Sequence, residues 1–538
     1  MANTVNTRAG LLAKDPFAKH VAARLADFFA DTTPWPRRLW DVGSVLALRE
    51  AVEAGNWLRA HVLSGASVAW YLHDLERALG PDRGLGDGRL RRELTDLLRN
   101  GLSPDGQDRR KLIELLPAIQ KNYLTRWADS VDSSRPPSAE RLAKAVATHL
   151  LDCGHSSGQL HRWVRAFTRE PQASLADLLD SARELADRVD QEFEVIVPFI
   201  SVPEQQLLVE HLREWLSPDE ASAWFKAQNL TNPERQNGAF RYRVSAKDAV
   251  ADARTMGGLV RRMENRWSYS RRSDKTLRPC GKVWVMGAAK PLPLLPPPRG
   301  VAIPSLMRER TMFDVQKSDR LDEALELAAP LDAGPSTSAV TGAWAAIEAL
   351  LFHPGDKAET KVGRAVAGDR LAAITACSWP RAELTALSYQ HQPPAPDKLS
   401  EDLANCPNNQ RRSEVVANAL GNTSLVITTA SDSAAADRMT AMVQDPQPQL
   451  ESVRRVFRGI FRRLYRQRNI VAHGGSTGGV ALEAALRTAA PLVGAGLDRI
   501  VHAKLAAGVK PLALAAGAEN SLALVGDAMG QPVTGLLG

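Results

Sequence analysis

The sequence is short of several things that would have named a function class. No run approaches the ~20 consecutive apolar residues that a membrane helix requires. The richest stretch, residues 480–503, carries Glu483, Arg487, Asp498 and Arg499, so no membrane association is expected. The first twenty residues contain Arg8, Lys14, Asp15 and Lys19 without an apolar h-region, which leaves a cytoplasmic setting as the expectation. The four cysteines, Cys153, Cys280, Cys377 and Cys406, include no CxxC pair, which argues against a disulfide framework and a zinc ribbon. Cys153 and His155 with His161 lack a fourth ligand at any standard spacing, so no metal and no other cofactor is expected. The glycine-rich dinucleotide and phosphate loops are missing, as are HExxH and GxSxG, and with them the commonest nucleotide, metalloprotease and hydrolase signatures. No repeat of fixed period is present.

What is present is a chain of 538 residues with 44% hydrophobic and 24% charged residues, an ordinary globular balance. A single core stops growing at roughly 250–300 residues, so two or three domains are expected. The formal net charge is only +7, but the charge is unevenly placed. Residues 451–475 hold seven arginines (454, 455, 458, 462, 463, 466 and 468) against Glu451 alone. Residues 261–278 hold seven basic residues against Glu264 and Asp274. Two positive clusters on a balanced chain point to a polyanionic partner.

The fold is expected to be mainly α, with an N-terminal helical region, a small central α/β segment and a C-terminal helical bundle. In residues 1–190, apolar positions recur at helical spacing (Val21, Leu25, Phe28, Phe29; Leu112, Leu115, Leu116, Ile119). Residues 191–315 change character. Residues 193–200 (FEVIVPFI), 240–244 and 282–286 read as strands, and 207–216 and 246–265 as helices. The proline-rich run 291–298 excludes a helix or a central strand and is read as a stiff connector, with a polyproline recognition motif as the other option. Helices are expected again over 321–327, 342–351, 361–377, 380–389, 413–420, 432–443, 450–472 and 480–503, giving a C-terminal domain over 316–508. Residues 509–538 form an Ala-, Gly- and Leu-rich tail, packed as a short helix or loose.

The chemistry is concentrated in Leu464-Tyr-Arg-Gln-Arg-Asn-Ile-Val-Ala-His473-Gly-Gly475. Of eleven histidines, only His473 has an arginine five to seven residues upstream, and it has two, Arg466 and Arg468. A basic helix ending at Gly474-Gly475, where glycine takes the left-handed C-cap conformation, places Asn469 and His473 on one face. The long side chain of Arg468 reaches the same groove. A guanidinium and an imidazole, oriented by an amide, make a metal-free phosphodiester site. The imidazole moves a proton, and the guanidinium pairs with the charged phosphate oxygens.

These residues resemble the motif of the HEPN superfamily of helical ribonucleases, in which an arginine and a histidine are separated by four to six intervening residues. The form RNxxxHG after Tyr465 is similar to that of the ApeA-like branch found in bacterial defence proteins. The segment AAIEALL (residues 345–351) resembles that branch's first helix, and Glu348 stands where the family's acidic residue faces the motif. The resemblance covers about residues 320–505. It implies a metal-independent endoribonuclease that leaves a 2′,3′-cyclic phosphate, with Arg468, His473, Asn469 and Glu348 as site residues. It further implies a homodimer, because the family builds its site where two such domains meet, and a role in anti-phage or stress defence released by a phage-derived or other trigger. Some relatives carry a tyrosine two residues after the histidine. Gly475 stands there in this chain, against any tyrosine modification by an antitoxin.

The four-residue spacing of Arg454, Arg458, Arg462 and Arg466 predicts an RNA-facing stripe. Trp267, Arg271 and Arg272 in the second basic cluster are a candidate base-stacking track. Tyr465 reads as packing between bundle helices. The alternative function is a catalytically silent RNA-binding or dimerisation module serving a partner protein.

Overall fold

The computed structural model describes residues 12, 14–86, 88–203, 212–231, 233, 235–270, 276–315, 319–356, 363–422 and 425–538. The protein is 65% helix and 6% strand, mainly α as the periodicity predicts. It divides into two compact units. Met1–Asp152, Val164–Arg183 and Pro298–Gly538 form the first, and Cys153–Trp163 with Glu184–Pro297 form the second. The sequence boundaries separate an N-terminal region from a C-terminal domain, whereas the structure joins both into one unit.

The joint is made by the segment after the first helix. The Pro16–Phe29 helix starts with the Asp15 carboxylate accepting from the Phe17 amide and buries Val21, Leu25, Phe28 and Phe29, a helical stripe. Beyond it, Trp40 enters the C-terminal core, edge-to-face against Trp379 at 5.4 Å and Phe457 at 4.8 Å between ring centroids. Arg37 donates to Glu383 and to Asp432, both at 2.6 Å, in a buried triad. The Trp379 indole donates to the Pro36 carbonyl at 3.1 Å. Removing this segment from the bundle would expose two indoles and strand a buried Glu383, so the N-terminal helices belong to the same core.

The C-terminal bundle is built around the helices Ser336–Leu351, Val366–Ser388, Pro446–Gly474 and Leu482–Ala507. The two helices expected on either side of Pro380 are one, Val366–Ser388. Residues 371–380 are buried at every position but Ser378. This burial outweighs the single backbone hydrogen bond that Pro380 gives up. The final thirty residues are part of the core. The Pro511–Leu524 helix buries Leu514, Ala515, Ala518 and Leu522, and Val533 and Leu536 close over the same cluster. Among the described residues no single helix is long and apolar enough to cross a membrane.

The second unit is a sheet of six strands: β1 (Gln191–Ser201), β2 (Trp215–Leu216), β3 (Ala239–Ala246), β4 (Arg278–Pro279), β5 (Lys282–Val285) and β6 (Leu292–Pro293). The order is β2-β3-β1-β5-β6, with β4 pairing on β1, and every pairing is antiparallel. The central strand β1 is apolar on both faces because both are covered. The Ala249–Ser270 helix packs Ala253, Met256 and Val260 over Val195, Val197 and Phe199. The Pro218–Ala227 helix packs Ala221, Trp224 and Phe225 over Ile196 and Trp284. Two expectations change here. Of the helix expected over 207–216, residues 207–211 lie outside the described residues. Trp215 and Leu216 form an edge strand instead, paired with Phe240 and Ala239, because Trp215 packs edge-to-face on Phe240. The proline-rich run begins as edge strand β6, a position that tolerates proline's missing N–H, and buries Leu294 before it leaves the unit.

His155 is buried in this unit, its Nε2 2.8 Å from the Leu185 carbonyl oxygen and its Nδ1 3.7 Å from Asp248. Among the described residues no group of three His, Cys, Asp or Glu side chains gathers to hold a metal.

Asp252, on the long helix of this unit, is fully buried, with neither carboxylate oxygen hydrogen-bonded. Burial pushes its carboxyl up to about 7 from an ordinary 3.8. The folded chain therefore holds a proton that the unfolded chain releases, and stability falls as pH rises from about 4 to 7. Asp252→Asn is expected to remove that loss. Its stability relative to the parent should rise by on the order of 2–4 kcal/mol between pH 4 and pH 8 in urea titrations. A pH-independent difference would refute the assignment.

Candidate active site

The Pro446–Gly474 helix carries the motif at its C-terminal end. It buries Leu450, Phe457, Ile460, Phe461, Leu464 and Ile470 along one stripe and stops at Gly475, whose φ of +64° is the left-handed cap read from the sequence. In the last turns, Arg468 Nη1 lies 3.0 Å from Asn469 Oδ1 and 3.0 Å from His473 Nε2. The three residues singled out by spacing therefore meet. A guanidinium donates only, so His473 Nε2 is the acceptor in this contact. His473 is exposed, and Asn469 is 9% exposed.

The group faces a cleft of about 840 Å³. One wall is this helix together with Arg364 and Ala365. The other is the turn from Leu58 to Ser67 and the ring of Trp70, between the helices Ser44–Arg59 and Gly65–Leu79. The turn is tied down by the amides of Val62 and Leu63, both donating to the Trp57 carbonyl. His61 sits in it at φ +56°, a conformation that costs a non-glycine residue about 1–2 kcal/mol.

Contacts of several kinds hold the two walls together. The ring of Trp57 fills the space where Gly474 has no side chain; a Cβ there would lie 2.8 Å from it. Glu53 accepts from the Val480 amide at 3.2 Å. Glu50, 3% exposed, accepts from Arg463 at 2.8 Å and Arg466 at 3.0 Å. Burial works against the ionised Glu50, but the charges and hydrogen bonds of Arg466 and Arg463 outweigh it and hold the carboxyl down at about 2. The Tyr71 hydroxyl shares its one proton between two acceptors, Glu50 at 3.0 Å and the Ala47 carbonyl at 2.6 Å. Burial, with the charge of Glu50, raises that phenol well above its ordinary value.

The predicted RNA-facing stripe turns inward along half its length. Arg466 is 3% exposed, bound to Glu50 and stacked over Tyr71 at 3.9 Å. Arg462 is 7% exposed, bound to both oxygens of Asp369 and stacked over Trp70 at 3.9 Å. Arg458 reaches toward the same Trp70 ring at 6.0 Å, and Arg454 pairs with Glu451 at 3.5 Å. For Arg462 and Arg466, the four-residue spacing that suggested a polyanion surface is instead that of a helix face packed inward. Their charges are neutralised by Asp369 and Glu50, from sequence positions the motif does not predict.

Glu348 also takes another place. It does not line the cleft; it accepts from Arg364 at 3.5 Å, so it positions an arginine of the cleft mouth. Tyr465 packs as expected, 4.6 Å from the Trp344 ring centroid, and lines the cleft as well. In the second unit, Trp267 lies near the end of the Ala249–Ser270 helix beside an exposed Tyr269. Arg271 and Arg272 lie outside the described residues.

Sequence reasoning missed Glu50, Trp57, His61, Trp70 and Arg364. His61 carried one faint signal, a histidine just past an amphipathic helix where glycine is the usual residue. The others carried none, since their roles depend on partners up to 416 positions away. No protein-family model, curated protein or solved structure matches the chain.

Proposed function

We propose that the first unit is a ribonuclease of the HEPN type that cleaves RNA by 2′-hydroxyl attack. The observation that carries this reading is Arg468 Nη1 held 3.0 Å from both Asn469 Oδ1 and His473 Nε2 at the wall of an open cleft. In the resting site, the guanidinium masks the basic nitrogen of His473. An incoming phosphodiester draws Arg468 onto its nonbridging oxygens, because a charged acceptor outcompetes a neutral one. Nε2 is then free to take the ribose 2′-proton. The 2′-oxygen attacks phosphorus, the bond to the 5′-oxygen breaks, and the products are a 2′,3′-cyclic phosphate and a 5′-hydroxyl. Asn469 keeps the guanidinium aimed as charge builds on the phosphorane. Arg364 adds positive charge at the mouth, and Trp70 offers an aromatic wall for a base.

The resemblance draws the opposing wall from a second copy. In this chain residues 58–70 supply a wall, which supports a site complete in one protomer. Because this step uses protein groups alone, purified protein is expected to cleave total RNA in EDTA. The products should carry cyclic phosphates, and the rate per mole of protein should not change on dilution. Chelator-sensitive cleavage, or ends other than cyclic phosphate and 5′-hydroxyl, would overturn the reading. A rate that falls on dilution would restore the two-copy site.

A further inference from the structure

The reaction needs two proton transfers, one from the 2′-hydroxyl and one to the departing 5′-oxygen, and the motif supplies one imidazole. A second imidazole faces the same cleft from the N-terminal wall. His61 lines the cleft with Arg468 and His473, its side chain is exposed, and its φ of +56° is one that glycine adopts more readily. Strained positions of this kind gather at functional sites. The turn is not loose: Val62 and Leu63 bond to the Trp57 carbonyl, and the Trp57 ring abuts Gly474, next to His473. Trp57 thus ties the turn of one histidine to the helix end of the other.

Resting on the ribonuclease reading above, we propose that His61 is a second catalytic residue, the general acid that protonates the leaving 5′-oxygen. His473 Nε2 takes the 2′-proton as the new O2′–P bond forms. The P–O5′ bond breaks with its electron pair on oxygen, and protonated His61 donates to that oxygen. Solvent exchange resets both imidazoles. The roles follow from the resting contacts: Arg468 holds His473 Nε2 as an acceptor, which leaves the donating role to the second imidazole lining the cleft, His61.

The test uses His61→Gly and His61→Asn in the full chain. Glycine takes the backbone conformation without strain, and asparagine is the side chain that tolerates it best, so neither variant should lose its fold. Each is assayed on an RNA oligonucleotide and on the same oligonucleotide with sulfur bridging in place of the scissile 5′-oxygen. A thiolate leaves without a proton. Both variants should cleave normal RNA about 10²–10⁴-fold more slowly than the parent and regain most of that loss on the thio substrate. His473→Ala should stay slow on both. Parent-like cleavage of normal RNA by the His61 variants would overturn the proposal, as would an equal defect on the two substrates. A parent protein inert on both would instead overturn the ribonuclease reading itself.

Discussion

Alanine at His473 is expected to lower RNA cleavage by about 10³–10⁴-fold, and alanine at Arg468 by about 10²–10³-fold. The histidine loss is in turnover, because the proton it takes moves only in the transition state. The arginine loss is divided, since a guanidinium pairs with the phosphate in the ground state and more strongly as charge develops. Arg468→Lys should recover substrate binding more than rate, because an ammonium carries the charge but not the two-pronged geometry. Neither alanine variant should unfold the chain. His473 is exposed and Arg468 partly so, and such surface changes cost about 0.5 kcal/mol or less. Thermal midpoints within a degree or two of the parent would therefore assign the lost activity to chemistry. Full activity in both variants would place the site elsewhere.

The second large effect concerns stability, and it falls on Glu50. Alanine there would leave the guanidiniums of Arg463 and Arg466 unpaired in the interior, at a cost of about 3–5 kcal/mol. Because Glu50 ties the Ser44–Arg59 helix to the Pro446–Gly474 helix, Glu50→Ala should also loosen the wall that carries His61 and, on the proposed reading, lower activity below the melting point. The pH dependence follows from the depressed carboxyl, about 2 against an ordinary 4.5. The contribution of Glu50 is present in full above pH 4.5 and is lost as pH falls from there toward 2. Denaturant midpoints for parent and variant should converge across that window. A gap that stays constant below pH 4.5 would mean that the Glu50 charge is not what the arginines require.

Much of the outline was legible along the chain, because helix formation and capping are local. The stripes that buried the helices Pro16–Phe29 and Pro446–Gly474, the glycine stop at Gly475 and the convergence of Arg468, Asn469 and His473 all act within one or two turns. Proline was a poorer guide. Pro380 looked like a boundary, but burial around it is a tertiary quantity, and the Val366–Ser388 helix runs through.

The basic stripe shows the same limit in electrostatic form. Seven arginines in a row of turns look alike in sequence whether they face water or carboxylates. What separates them is Asp369 and Glu50, contributed by other helices, and the rings of Trp70 and Tyr71 that receive the guanidiniums. The sequence alone thus determined a helical protein with an arginine, an amide and an imidazole on one helix end. Tertiary structure decided the rest: which arginines are neutralised inside, which stand at a cleft, and that the facing wall comes from residues 58–70. Pairing across more than 400 positions follows from how apolar faces pack together, and no local spacing encodes it.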